Sequence, residues 1–170
     1  VYDMVRDAAG NYYMTGRVDM DPSYVSNQDC FTAKIGTNGN IIWSKTFNQT
    51  AANEDRGSYI KLTSTGNVIV VGRTFNGTNY DILLLSYSNT GTLNWSRVYN
   101  GGANDFASGV VLDANNNIFI CGRKETAKPF VLWSPWNWKN INDFGRMSTT
   151  IRVCVCVCVL SIQISKHCAM

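Results

Sequence analysis

Gly66-Asn67-Val68-Ile69-Val70-Val71-Gly72-Arg73 is written three times in this chain. The earlier copy is Gly10-Asn11-Tyr12-Tyr13-Met14-Thr15-Gly16-Arg17, and the later one is Asn116-Asn117-Ile118-Phe119-Ile120-Cys121-Gly122-Arg123. Each opens on turn residues, runs through a short apolar stretch and closes on Gly-Arg. That is a strand bounded by turn chemistry, too short and too β-branched for a helix. A second unit lies between the copies: Asp29-Cys30-Phe31-Thr32-Ala33-Lys34-Ile35, then Gly39-Asn40-Ile41-Ile42-Trp43-Ser44-Lys45-Thr46-Phe47. Its partner is Asp81-Ile82-Leu83-Leu84-Leu85-Ser86-Tyr87, then Gly91-Thr92-Leu93-Asn94-Trp95-Ser96-Arg97-Val98-Tyr99. Gly16 to Gly72 spans 56 residues, Gly72 to Gly122 spans 50, and Trp43 to Trp95 spans 52. Separate anchors sharing one period mark an internal structural repeat.

Each repeat reads as four short strands. The first precedes the Gly/Asn turn, the second ends in Gly-Arg, the third follows Asp29 or Asp81, and the fourth carries the Trp. Val68–Val71 and Ile82–Leu85 are apolar at every position, as strands buried on both faces are. The fourth strand alternates instead, with Ile41, Trp43, Lys45 and Phe47 expected on one face, matched by Leu93, Trp95, Arg97 and Tyr99. Strands are expected near 2–6, 12–17, 30–35, 41–47, 58–62, 68–73, 82–87, 93–99, 108–112 and 117–122, with no helix over 1–130.

Four antiparallel strands at a period of ~50 residues describe a β-propeller blade. The spacing Asp29, Phe31, Lys34, Gly39-Asn40, Trp43, and then Asp105, Asp113 and Gly122-Arg123, resembles the seven-bladed β-propeller repeat family. The resemblance covers residues 1–130 and implies an all-β scaffold with a binding surface. It implies repeats at about 1–57, 58–107 and 108–130, roughly two and a half blades, with Trp43, Trp95, Gly16, Gly72 and Gly122 as repeat-core positions. A closed ring would need on the order of 350 residues, so the chain reads as a fragment of a propeller.

Composition narrows the function. The 170 residues are 45% apolar and 16% charged, so the chain has the makings of a core. One histidine, His167, leaves little room for His-based catalysis or zinc binding. Up to Phe130 the chain holds 11 basic and 11 acidic residues, and the net charge of +3 resides in the last 40 residues. A neutral body argues against nucleic acid as a partner. No transmembrane segment is read either, since the apolar run Val153–Leu160 is far short of the ~18 residues a span needs.

From Val131 the repeat spacing fails. Val153-Cys154-Val155-Cys156-Val157-Cys158-Val159 alternates as a translated GT dinucleotide repeat does, so 131–170 reads as a non-repeat tail of translated non-coding or frame-shifted DNA, not native domain sequence. Read instead as a strand, it would line three thiols along one face, suited to a soft metal. Cys30 and Cys121 fall at unequal repeat positions and read as core thiols rather than a disulfide.

Candidate sites are few. Asp113-Ala114-Asn115-Asn116-Asn117 resembles the opening of a calcium loop. However, Ile118 stands where that loop needs Gly and Lys124 where it needs Glu, so a turn is expected. Asp29, Asp81, Asp55 and Asp105, with Arg17, Arg73 and Arg123, gather at one end of the blades; pairing with each other or loop capping is expected. Asn48 and Asn76 are candidate glycosylation positions. No catalytic, cofactor-binding or metal site is read. The leading expectation is a non-catalytic scaffold, extracellular or on the cell surface, that binds a protein or glycan. The alternatives are part of a quinoprotein-type (PQQ) propeller, because Gly39–Trp43 echoes a Trp-docking turn, or a glycosidase-type propeller. Loop length varies at only one end of the blades, so any ligand is expected to meet loops 17–28, 48–57, 74–80 and 100–107.

Overall fold

A computed structural model describes residues 1–19, 28–49, 54–125, 129–134 and 145–146, the last two segments as strands with their pairing. All regular structure among them is β. The strands are β1 (Asp3–Arg6), β2 (Tyr12–Asp19), β3 (Gln28–Ile35), β4 (Ile41–Phe47), β5 (Asp55–Leu62), β6 (Val68–Phe75), β7 (Tyr80–Tyr87), β8 (Leu93–Tyr99), β9 (Asp105–Leu112), β10 (Ile118–Lys124), β11 (Pro129–Ser134) and β12 (Gly145–Arg146). They form three four-stranded sheets, β1–β4, β5–β8 and β9–β12, each pairing consecutive strands antiparallel. The fold is therefore all-β and built of blade-like sheets.

The middle sheet explains its own sequence. Ile69, Val71, Ile82 and Leu84 pack with Val110, Ile118 and Ile120 of the third sheet. Val68, Val70, Leu83, Leu85 and Tyr87 point the other way, onto Tyr13 and Cys30 of the first. A strand buried on both sides has no polar face to alternate with, which is why these runs are continuous. Burial pushes the Cys30 thiol up to about 12, so it stays neutral and serves as packing. Cys30 and Cys121 form no disulfide.

The structure departs from the expected pattern in three ways, the first two at a change of register. Strands β5 and β9 begin at Asp55 and Asp105, three residues earlier than expected, because bulges between Gly57 and Tyr59 and opposite Cys121/Gly122 interrupt the alternation that reveals a strand. In β4 the ladder slips between Lys34 and Ile35, so Lys34 faces Trp43 while Ile35 faces Ile41. Ile41 therefore leaves the Trp43 face and lies 64% exposed; the same slip at Ser86/Tyr87 turns Leu93 out. Trp43 and Trp95 do occupy equivalent registers, half-buried rather than largely buried, since each is on an edge-side strand. Lastly, the boundary expected at Phe130 falls within β11, which pairs with β10 through Ser134. The run Phe130-Val131-Leu132-Trp133 keeps strand chemistry although Lys128 replaces the leading Asp and the Trp spacing is lost. The Val/Cys alternation and His167 lie outside the described residues.

Candidate functional site

The two ends of the sheets are built differently. At one end, tight turns close on themselves: Gly10 donates to Asp7, Gly39 to Gly36, Gly66 to Thr63, Gly91 to Ser88 and Asn116 to Asp113, all at 2.9–3.1 Å. The residue opening the turn binds the residue closing it. Asp7 accepts from both nitrogens of Asn11, as Asp113 does from Asn117, and Thr63 Oγ1 accepts from Asn67 N. The Asp113 segment is thus the turn expected from the repeat. Asn116 takes φ 64° where the other two copies use glycine.

At the opposite end the repeated aspartates are buried loop caps. Asp29 accepts from Asn48 Nδ2 at 2.9 Å, Asp81 from Asn76 Nδ2 at 2.8 Å, Asp55 from Gln49 N at 2.8 Å and Asp105 from Gly101 N at 2.5 Å. The two candidate glycosylation asparagines therefore use their amides to hold buried carboxylates. Burial raises the pKa of Asp29, Asp55 and Asp81 above the ordinary carboxylate range. A raised pKa means that their contribution to stability is full below the ordinary range and is lost as pH rises through the folded values. Asp55→Asn removes one such titration. Its stability, followed by urea unfolding, is expected to fall less between about pH 4 and pH 7 than that of the parent; parallel profiles would overturn this account.

Beside these caps lies a pocket of about 420 Å³ between the second and third sheets, lined by Arg56, Ser58, Tyr59, Arg73, Phe106 and Arg123 among others. Strand register assembles it. Arg56 lies directly opposite Arg73 across β5 and β6, and Phe106 directly opposite Arg123 across β9 and β10. Two like charges opposite one another in a ladder repel. Glu54 offsets one of them, taking Arg73 in an ion pair at 2.5 Å and a hydrogen bond from Tyr80 Oη at 2.9 Å. Burial pushes the Glu54 carboxyl up, but the bonds from Arg73 and Tyr80 prevail and hold it below its ordinary range. Among the described residues Arg56 and Arg123 are in no close ion pair, although the Arg56 charge also helps to hold the Glu54 carboxyl down. Arg56 lies over the Tyr2 ring and its buried Nε finds no acceptor, while Arg123 lies over Phe106, 4.9 Å from the centroid. Tyr80 bridges the group, with Arg73 4.1 Å from its centroid and Phe75 and Phe106 on either side.

Of the two expected roles the aspartates take loop capping, and two of the three repeat arginines line the pocket while Arg17 belongs to the first sheet. Sequence reading singled out Arg73 and Arg123 but missed Arg56, Glu54 and Phe106. The signal was available: Arg56 and Phe106 each follow a repeat Asp, and Arg73 and Arg123 each follow a repeat Gly. Their cross-strand pairing becomes visible only once the bulge fixes the register. No group of three or more metal-ligating side chains occurs among the described residues, and no helix there is long and apolar enough to cross a membrane. No protein-family model matches the chain, and no curated protein is detectably similar to it.

Proposed function

We propose that the chain is part of a β-propeller acting as a non-catalytic scaffold that binds a protein or glycan at its loop end, outside the cell or on its surface. The observation that carries this reading is the asymmetry of the two ends. Self-closed turns of fixed length occupy one end; loops of varying length and the arginine-lined pocket occupy the other. Two further features favour a propeller. Sheets stack face to face in chain order. The outer side of the first sheet leaves Met4, Ile41 and Ile42 more than half exposed, which a further blade would cover. The repeat aspartates, which a glycosidase would have to recruit as its carboxylate pair, serve as loop caps, and Glu54 is paired with Arg73.

Docking of the Trp43 indole on Asn89 O favours a quinoprotein-type propeller as a second reading. That reading requires calcium ligands and a catalytic Asp in the channel, and a complete propeller chain carrying both would decide in its favour.

An array of acidic and neutral glycans tests the leading reading. Alanine blocks over 74–79 and 100–104 are expected to abolish retention, whereas Gly39→Ala lowers the melting temperature and leaves retention unchanged. The reverse pattern would refute the assignment of the loop end, and retention of no glycan would remove the glycan half of the reading.

A further inference from the structure

We infer that the pocket between the second and third sheets takes a uronic-acid residue, its carboxylate held by Arg56 and Arg123. This deepens the scaffold reading and rests on it. Three guanidinium groups line the pocket and only one is in a close ion pair among the described residues. Arg56 and Arg73 oppose each other across the ladder; Glu54 acts on both charges but is ion-paired with Arg73 alone, so a ligand carboxylate would complete an offset that Glu54 begins. Arg56 carries a buried Nε with no acceptor, so its guanidinium is not fully satisfied within the fold. A guanidinium matches a carboxylate in two parallel hydrogen bonds, which a neutral sugar cannot supply.

The remaining lining suits a sugar better than a bare anion: Ser58 and Ser108 bring hydroxyl groups to the pocket, and Tyr59 and Phe106 also line it. At about 420 Å³ the space is far larger than an acetate or phosphate needs. Position supports the same ligand. Arg56, Arg73, Phe106 and Arg123 all lie where strands meet the variable loops, so a chain of sugars entering the pocket would continue across those loops.

The test uses the full chain and methyl glucuronide, with methyl glucoside, acetate and inorganic phosphate as comparison ligands, followed by calorimetry and by tryptophan fluorescence. Methyl glucuronide is expected to bind at least about tenfold more tightly than each of the others. Arg56→Gln and Arg123→Gln should each weaken it about tenfold, while Arg17→Gln, the repeat equivalent in the first sheet, leaves it unchanged. Unaltered melting temperatures show that the variants remain folded, and raised salt should weaken binding. Acetate or phosphate binding as well as the glucuronide would overturn the sugar assignment; so would indifference to either pocket arginine. If neutral glycans bind through the loops and the glucuronide does not, the pocket inference fails and the scaffold stands. If no glycan binds, the glycan reading and this inference fall together.

Discussion

Gly72→Ala is expected to destabilise the fold by about 3 kcal/mol or more, the upper range for forced overpacking. A Cβ built on Gly72 would stand 1.7 Å from the Arg56 carbonyl oxygen, 2.8 Å from its carbon and 3.0 Å from Gly57 Cα. These are backbone atoms of the bulge in β5, and they cannot swing aside as the end of a side chain can. Moving them would break the pairing of Gly57 with Gly72 and shift Asp55, whose carboxylate caps the preceding loop. Gly57 meets the same limit from its other side, where a Cβ would come within 1.9 Å of Thr15 Oγ1 in the first sheet. The repeated glycine of the second strand is therefore a matter of space. Gly16 makes the same point, with Val1 Cα only 2.8 Å from where its Cβ would lie. Gly77→Ala is the control, having open space but φ 95°, so it should cost only about 1 kcal/mol of backbone strain. Urea unfolding of the two variants separates the terms. A Gly72→Ala variant no worse than Gly77→Ala would show that the bulge does not close as described.

How much the residues alone reveal depends on where each signal is local. The Gly-Asn and Asn-Asn turns announce themselves because backbone conformation at one residue dictates its type, as at Gly66 and Asn116. The doubly buried strands β6 and β7 are legible because nothing polar interrupts Val68–Val71 or Ile82–Leu85. Bulges leave no such local mark. Those near Gly57 and Gly122 hid the starts of β5 and β9, and with them the pairing of Arg56 with Arg73 and Phe106 with Arg123. The pocket was illegible for that reason, since its members belong to four strands and meet only through register. The aspartates were half legible. Their recurrence was plain, but Gln49 and Gly101, which do align, cap Asp55 and Asp105 through backbone N–H groups that leave no side-chain mark, while Asn48 and Asn76 cap Asp29 and Asp81 from loops that are not equivalent.

Trp43→Ala is expected to cost about 3–5 kcal/mol, as removal of a large aromatic from a packed interface does. The indole N–H donates to Asn89 O at 3.0 Å, on the β7–β8 turn of the neighbouring sheet. Its ring lies against Tyr13 and Tyr87 with centroids 6.1 and 6.2 Å away, and against Gly91. Trp43→Phe keeps a ring and loses the hydrogen bond, so its loss should be smaller by at least about 1 kcal/mol, because most of the ring packing that Ala forfeits is retained. The sharper measurement is a double-mutant cycle with Gly91→Ala. Gly91 has φ 86°, and a Cβ there would approach the indole to 2.8 Å. With Trp43 present the substitution suffers both the strained backbone and the clash; with Trp43→Ala only the strain remains, about 1 kcal/mol. A coupling above about 1 kcal/mol is expected from residues in direct contact. Additive losses would mean that the indole does not rest on this turn. Gly39 supplies an internal comparison, being the same turn position one repeat earlier, with φ 82° and nothing within 4 Å. Gly39→Ala should therefore match Gly91→Ala in the Trp43→Ala background. A loss as large as that of Gly91→Ala in the parent chain would instead show the Gly39 turn to be covered in solution, as a further blade bearing its own tryptophan would cover it.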